Sequence, residues 1–396
     1  MKSEDVQFPA FSVKDFPQFR PSEVWLQLTR LNTSKSTVPG DFPARLSKHF
    51  AAYLAEPLTD IINTSIRRGE YPRIYKNESC TPVPKSYPLK TTSDVWNISG
   101  LFTFDKIMEK LISELMIADM KPQIDRSQYG NERGLSIQHY LIKMLHRILT
   151  ELDKNGKNEK KAIILNMIDW ETAFPRQCPK LGIDSFIRNG VRPSLIPLLV
   201  NFFQDRKMSV KWKGCRSTVR DLNGGGPAGA TFGLLEYLSQ SNNCADMVNE
   251  DDRFRFLDDL SLLEIVNLLS VGLSSFNFKQ TVASDIPLHN QFVKNTNLKS
   301  QDWLDQINAW TKEQKMKINA KKSSVMIFNY TRDYQFATRL SLNNESLEIA
   351  SHKKLLGTII SNDLSWDLNT AALVKNANLR LQLLRKVASF GSKEHS

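Results

Sequence analysis

Cysteine is sparse in this chain of 396 residues: Cys80, Cys178, Cys215 and Cys244 lie far apart, with no CxxC and no histidine at ligand spacing. That pattern excludes a disulfide scaffold and a zinc module, and it fits a reduced, intracellular compartment. No apolar run approaches the ~18 residues that a membrane span needs, so no membrane partner is expected. Charges stand in Met1-Lys-Ser-Glu-Asp5 where a signal peptide would begin its apolar core, which argues against export. Histidine is thin as well, at six residues, and neither HExxH nor a Ser-His-Asp spacing occurs. His139 and His146, on one helical stretch, read as ordinary packing or surface residues. Internal repeats, low-complexity tracts and the Walker or dinucleotide glycine fingerprints are all missing.

Positive charge, by contrast, is plentiful. Lys and Arg number 53 against 42 Asp and Glu, a net +11. A basic chain suggests a polyanionic partner, because each neutralised phosphate releases counterions. The plain alternative is a well-solvated surface. Hydrophobic residues at 41 % and charged ones at 24 % exclude the disordered and collagen-like classes. The length allows two or three domain-sized units.

Loop signals crowd the first forty residues, with Pro9, Pro17 and Pro21 and a polar run at 32–43, so this part reads as a peripheral arm. Over 45–68, Leu46, Phe50, Leu54, Leu58, Ile61 and Ile62 recur at helical steps, and Gly69 marks the stop. Residues 71–99 read as strands and a loop. Two helical stripes follow, Phe104 to Met116 and Ile137 to Leu149, the second with Ser136 as N-cap. Ala162-Ile-Ile-Leu-Asn-Met-Ile168 has the pattern of a buried strand, with Asp169 at its exit. A helix over 194–204 leads to a basic hairpin at 207–214. Gly224-Gly-Gly-Pro-Ala-Gly229 then opens a helix that runs to 238. Residues 254–263 alternate as two strands around a turn at Asp258-Asp259. Downstream come a helix at 303–315, a strand at 324–329, a hairpin turning near Asn343-Asn344, a strand at 355–360 and a basic helix at 370–387. Strands and helices mix without βαβ alternation, so the expected class is α+β: a largely antiparallel sheet with helices packed on it.

Asp169, Asp258 and Asp259 are the chemical centre of this pattern. A carboxylate leaving one buried strand meets two in a neighbouring hairpin turn if those strands pair. Oxygen ligands of this kind suit hard divalent cations, Mg²⁺ above all. Two such ions roughly 4 Å apart serve phosphoryl and nucleotidyl transfer. An Asp-Asp pair alone is common turn chemistry. Between Phe256, Leu257, Leu260 and Leu262, however, adjacent acids cost stability unless a cation neutralises them.

The ordered set Asp169-Trp-Glu-Thr-Ala-Phe174, Gly224-Gly-Gly-Pro-Ala-Gly229 and Phe256-Leu-Asp-Asp259 resembles the three palm motifs of reverse transcriptases, those of non-LTR retrotransposons most closely. Further stretches match in the same order. They are Lys35-Ser-Thr-Val-Pro-Gly-Asp41, Thr81-Pro-Val-Pro-Lys85, Ile98-Ser99 and Ser127-Gln-Tyr-Gly-Asn-Glu-Arg-Gly-Leu-Ser136, then Met316-Lys-Ile-Asn-Ala-Lys-Lys322 and Leu355-Leu-Gly-Thr-Ile359. The resemblance covers about residues 22–390. It implies a right-hand polymerase: a lead-in and helix at 1–70, fingers at 71–165, palm at 166–361 (179–222 partly fingers) and the start of a thumb at 362–396. It implies RNA-directed DNA synthesis from an RNA template, a DNA primer and dNTPs, with two Mg²⁺ ions that Mn²⁺ can replace. Asp169 and Asp258 would hold the ions, supported by Asp259. Phe174 would be the steric gate against a 2′-hydroxyl; unaided, it is an ordinary core aromatic. Gly226, Pro227 and Gly229 would let backbone approach the nucleotide. Lys322, or its neighbour Lys321, would meet the pyrophosphate and Lys85 the triphosphate or template, unless both are solvated basic turns. Leu356 and Gly357 would form the primer grip. Target-primed synthesis implies the nucleus, although no lysine-rich import run is present.

Three departures weaken the nucleotide side of that pattern. Trp96 stands where the family has a phosphate-binding arginine, and an indole offers no charged fork. Ala228 replaces a glutamine, a loss on the order of 1–3 kcal/mol for one polar contact. Pro175 follows Phe174 where the family has an Asp that binds no metal. The ends imply no upstream endonuclease and a short or truncated thumb. A catalytically inactive module that still binds RNA or RNA–DNA hybrid is the alternative reading.

Overall fold

Ala162, Ile163, Ile164 and Leu165 are entirely shielded from solvent, as alternating side chains of a strand become only when both faces of its sheet are covered. The structure is a computed structural model that describes residues 8–34, 38–85, 87–155, 159–222, 224–227, 229–268, 298–331 and 340–391. It divides into two compact units, the first made of Met1–Asp125, Glu171–Cys244 and Trp310–Lys317, the second of Arg126–Trp170, Ala245–Ala309 and Ile318–Ser396. Mixed helices and mostly antiparallel sheets make it α+β, as the pattern implied. No described helix is long and apolar enough to cross a membrane.

The first unit opens with helix α1 (Pro21–Thr29), which buries Val24 and Leu28. The N-terminal stretch is therefore not wholly the peripheral arm its prolines suggested. Pro21 sits in the first turn, where a missing N–H costs nothing, and Val24 and Leu28 one turn apart form a buried stripe. The stripe over 45–68 is two helices, α2 (Ala44–His49) and α3 (Ala51–Arg68), parted at Phe50; Gly69 ends α3 at φ 63°. Strands β1 (Asn77–Pro84), β2 (Val95–Gly100), β4 (Lys207–Trp212), β5 (Cys215–Arg216) and β6 (Arg220–Asp221) form a sheet in the order β2-β1-β4-β5, with β6 also on β4. Among the described residues of this sheet only the β1–β4 pairing is parallel. Helices α4 (Thr103–Met120), α6 (Pro179–Arg188), α7 (Ile196–Phe203) and α8 (Thr231–Gln240) complete the unit. Asp41, from the lead-in motif, accepts the Thr103 N–H at 3.0 Å and so caps α4; positions 35–37 of that motif lie outside the described residues.

In the second unit β3 (Lys161–Ile168) is the middle of a five-stranded sheet ordered β12-β9-β3-β8-β7. The other strands are β7 (Arg253–Phe256), β8 (Asp259–Asn267), β9 (Ser324–Phe328) and β12 (Glu348–Ile349), and β3 pairs directly with β8 and β9. Helix α5 (Ile137–Asp153) covers one face: Tyr140, Met144, Ile148 and Leu152 pack with Ile163, Leu165, Phe254, Leu263, Met326 and Phe328. Ser136 is its N-cap residue, but its hydroxyl meets the His139 ring at 2.8 Å and caps no backbone N–H. The other face meets the start of helix α9 (Lys299–Glu313), where Asn166 donates to Ser300 Oγ at 2.8 Å. Hairpin β10 (Ser341–Leu342) and β11 (Glu345–Ser346) turns at Asn343-Asn344 as expected, both residues having positive φ. The stretch 355–360 is not one strand. It is the turn of a hairpin, β13 (His352–Leu355) and β14 (Thr358–Ser361), with Leu356 and Gly357 at φ 47° and 92°. A two-residue turn with both φ positive matches strand twist, and the Leu-Gly pair was hidden inside an apolar run. Helix α10 (Asp367–Gly391) follows.

Candidate active site

Register brings the acids together. β3 and β8 pair antiparallel, and their last partners at this end are Ile168 and Leu260. One step further stand Asp169 and Asp259, on adjacent strands at the same end of the sheet. The turn between β7 and β8 is Leu257-Asp258, closed by Phe256 opposite Asp259. The turn therefore lies one residue earlier than the sequence pattern implied, because Asp259 is already strand.

Burial acts on all three carboxyls, and Asp169 and Asp259 also feel acid neighbours. Burial raises the Asp169 carboxyl above the usual range; Lys322 and Lys353 pull it back, while Asp258 pushes it up again. Asp259 is pushed up to about 6, by burial first and then by Asp258 and Asp169. Asp258 reaches solvent at the turn, yet enough protein surrounds it that desolvation raises it too, against a hydrogen bond from its own N–H. Like charges this near each other favour either a shared proton or a bound cation.

The scaffold under the acids is specific. Asp169 N–H donates to Ser323 Oγ at 3.0 Å, and Asn319 N–H donates to the Asp169 carbonyl at 2.8 Å. The same turn carries Lys322, whose carbonyl accepts from Lys353 Nζ at 3.1 Å. Lys353 was missed in the sequence, since a lysine on a short strand gives no signal until β13 is placed. Gln128 was missed as a brace, although it lies in the Ser127-Gln-Tyr-Gly motif. Its Oε1 accepts the N–H groups of Gly130 and Leu257, both at 2.9 Å, so it holds the turn that presents Asp258.

The remaining candidates divide between the units. Leu356 and Gly357 belong to the second unit, at the β13–β14 turn. Phe174, Gly226, Pro227, Gly229 and Lys85 belong to the first. There Gly226 N–H donates to the Phe174 carbonyl at 3.1 Å and Gly225 N–H to the Gln177 carbonyl at 2.9 Å, which ties the glycine loop to Phe174. The Phe174 ring lies against Tyr237, with centroids 5.5 Å apart. A Cβ on Gly226 would meet Gln177 Oε1, so a larger residue there requires the Gln177 side chain to move. Pro227 is buried and Gly229 exposed. Lys85 is exposed past the end of β1, its N–H bonded to the Asp94 carbonyl at 2.8 Å. Trp96 is exposed on β2, and Ala228 lies outside the described residues.

Among the described residues no group of three or more His, Cys, Asp or Glu side chains forms a ready cage for a metal ion. The acid cluster is an open, all-oxygen donor set. Carboxylate oxygen is the donor type that hard divalent cations take.

Two curated proteins are similar to the chain, and no family model matches it. One, from Drosophila funebris, is called RNA-directed DNA polymerase from mobile element jockey; it is 24 % identical over 327 residues, 81 % of this chain and 33 % of its own length. The other carries the same name in Drosophila melanogaster and is 23 % identical over 320 residues, 77 % of this chain and 31 % of its own. The chain thus resembles mobile-element RNA-directed DNA polymerases, as its motifs indicated, and spans about a third of the length of these relatives.

Proposed function

We propose that the chain is the polymerase part of a retrotransposon reverse transcriptase, adding deoxynucleotides to a primer 3′-hydroxyl along an RNA template. The observation that carries this reading is the convergence of Asp169, Asp258 and Asp259 at one end of a buried antiparallel sheet, beside Lys322 and Lys353. It is supported by the similarity to polymerases of mobile elements. In this reading the sheet of the second unit is the palm, the five-stranded sheet of the first belongs to the fingers, and α10 begins the thumb.

Asp169 and Asp258 would hold two Mg²⁺ ions, with Asp259 as the supporting acid and Mn²⁺ as a substitute. Such a pair would activate the attacking oxygen and stabilise negative charge on the leaving one. The residues themselves have separate tasks. Their carboxylates set the charge of the site, and Gln128 holds the Asp258 turn against Gly130. Lys322 meets negative charge on the departing pyrophosphate, and Lys85 contacts triphosphate or template. Phe174 crowds a ribose 2′-hydroxyl and so selects dNTPs. The backbone at Gly226, Pro227 and Gly229 approaches the nucleotide where side chains would block it, and the turn at Leu356 and Gly357 touches the primer.

Primer extension on an RNA template with Mg²⁺ and dNTPs tests this. Extension by the natural chain and none by Asp258→Ala is the expected result. Failure of both, with hybrid binding kept, would reduce the chain to a binding module. Trp96→Arg with Ala228→Gln would then show whether those two positions are the cause.

A further inference from the structure

Helix α8 carries a carboxyl into the interior of the first unit, where no charged neighbour acts on it. Glu236 is entirely shielded from solvent, and Gln177 is 2 % exposed. Two glycines make room for the acid. A Cβ on Gly182 of α6 would stand 2.5 Å from Glu236 Oε1, and one on Gly226 would stand 3.2 Å from Glu236 Oε2. The same Cβ on Gly226 would meet Gln177 Oε1, so the carboxyl oxygen and the amide oxygen converge beside one backbone atom. Among the described residues no group donates a hydrogen bond to Gln177 Oε1 or to either Glu236 oxygen.

Two buried acceptors side by side repel, and both stay unsatisfied. Turning the amide round brings no relief. Gln177 Nε2 donates to the Gly233 carbonyl at 2.9 Å, and a flip would set oxygen against oxygen there. A proton on the acid, however, makes it a donor. Burial raises the Glu236 carboxyl to about 8, so it is neutral at pH 7.

Gln177 is also tied to the glycine loop through its backbone. Its carbonyl accepts the Gly225 N–H at 2.9 Å, the Phe174 carbonyl accepts the Gly226 N–H at 3.1 Å, and Gln177 N–H donates to that Phe174 carbonyl at 3.3 Å. One turn, 174–177, therefore fixes both loop amides, and its last side chain is the one beside the acid.

We propose that Glu236 is a positioning residue: as a neutral acid it donates to Gln177 Oε1 and so holds the turn that fixes Gly225 and Gly226. Its effect on synthesis rests on the reading above, in which the Gly226 backbone approaches the nucleotide; the hold on the loop does not. Other titratable groups pack around α8. Asp105 and Glu109 of α4 are raised by burial too, and Glu109 accepts the Thr231 N–H in the first turn of α8. Arg176 and Cys178 beside Gln177, and Lys180, Asp184 and Arg188 on α6, contribute nothing to the Glu236 value. All of these remain in place when Glu236 alone is replaced.

Hydrogen exchange of the full chain reads the loop directly. Protection of the Gly225 and Gly226 amides, corrected for intrinsic rate, is expected to fall by about tenfold from pH 7 to pH 9 as Glu236 ionises. Glu236→Gln supplies an N–H donor at every pH and should keep protection level. Glu236→Leu supplies none and should be weakly protected at both. Primer extension gives the second readout: KM for dNTP should rise about tenfold over the same range in the natural chain and stay level in Glu236→Gln. A pH dependence shared by the natural chain and Glu236→Gln overturns the proposal, as does equal protection in the Gln and Leu variants, which a space-filling role predicts. If Glu236→Leu does not fold, the natural chain against Glu236→Gln still decides. Absence of extension by every protein discards the polymerase reading while exchange decides the role of Glu236; extension with exchange indifferent to Glu236 does the reverse.

Discussion

Leu257 has φ 54°, a left-handed conformation that a bulky side chain takes only when its surroundings hold it there. The hold is visible in Gln128 and in Gly130, whose absent Cβ would lie 2.5 Å from Leu257 N. Gly130→Ala must therefore push the turn that carries Asp258. We expect a stability loss of about 2 kcal/mol in urea melts and a fall in primer extension beyond what that loss accounts for. Glu236, on α8 in the first unit, makes a different residue-scale prediction. It is fully buried, neither carboxyl oxygen has a hydrogen-bond partner among the described residues, and burial pushes it up to about 8. Between the ordinary value near 4.5 and about 8 the folded chain keeps a proton that the unfolded chain has lost. Stability therefore falls as pH rises through that window. Glu236→Gln should remove that slope, stabilising the chain at pH 7 by on the order of 3 kcal/mol. Melts of both proteins at pH 5 and pH 7 measure it.

At the scale of the element, helix ends show how the sheet organises what is packed on it. Glu264 of β8 accepts the N–H groups of Lys299 and Ser300 at 2.7 and 2.8 Å. A strand carboxylate thus caps α9 and meets the positive end of its dipole. Glu264→Ala should cost about 1–2 kcal/mol and speed amide exchange in the first turn of α9, measured by hydrogen exchange. Glu109 of α4 does the same for α8, accepting the Thr231 N–H at 2.6 Å. Neither cap is legible in the chain, because each acid is remote in sequence from the helix it serves. Local caps and turns were easier: Gly69, the Asn343-Asn344 turn and the basic hairpin after Lys207 all fall where their residues suggested. The hairpin at Leu356-Gly357 escaped because one glycine within apolar residues resembles a continuing strand.

For the molecule as a whole, charge and metal binding make the testable claims. A net +11 favours nucleic acid of any sequence at low salt. Three carboxyls raised by desolvation or by one another should also store destabilisation that a divalent cation relieves. Adding Mg²⁺ at about ten times its dissociation constant is expected to raise the melting temperature by about 1–5 °C. Asp169→Asn with Asp258→Asn should abolish that rise, as differential scanning calorimetry would show. An equal rise in both proteins would mean that the ion binds elsewhere.

The sequence alone was enough for the class of fold, the strand ending in Asp169, the acid pair between apolar strands, and the family resemblance. Those are local signals: periodicity, composition and motif order need no partner to be read. Tertiary structure decided what local signals cannot carry. Pairing of β3 with β8 sets Asp169 and Asp259 on adjacent strands and places Asp258, not the Asp pair, in the turn. Packing recruits Lys353, Ser323 and Gln128 from distant segments, and in the first unit it brings Glu236 to Gly226 and Gln177. A strand's neighbours and register are set by the burial of whole faces, and that is a property of the assembled chain, not of any window along it.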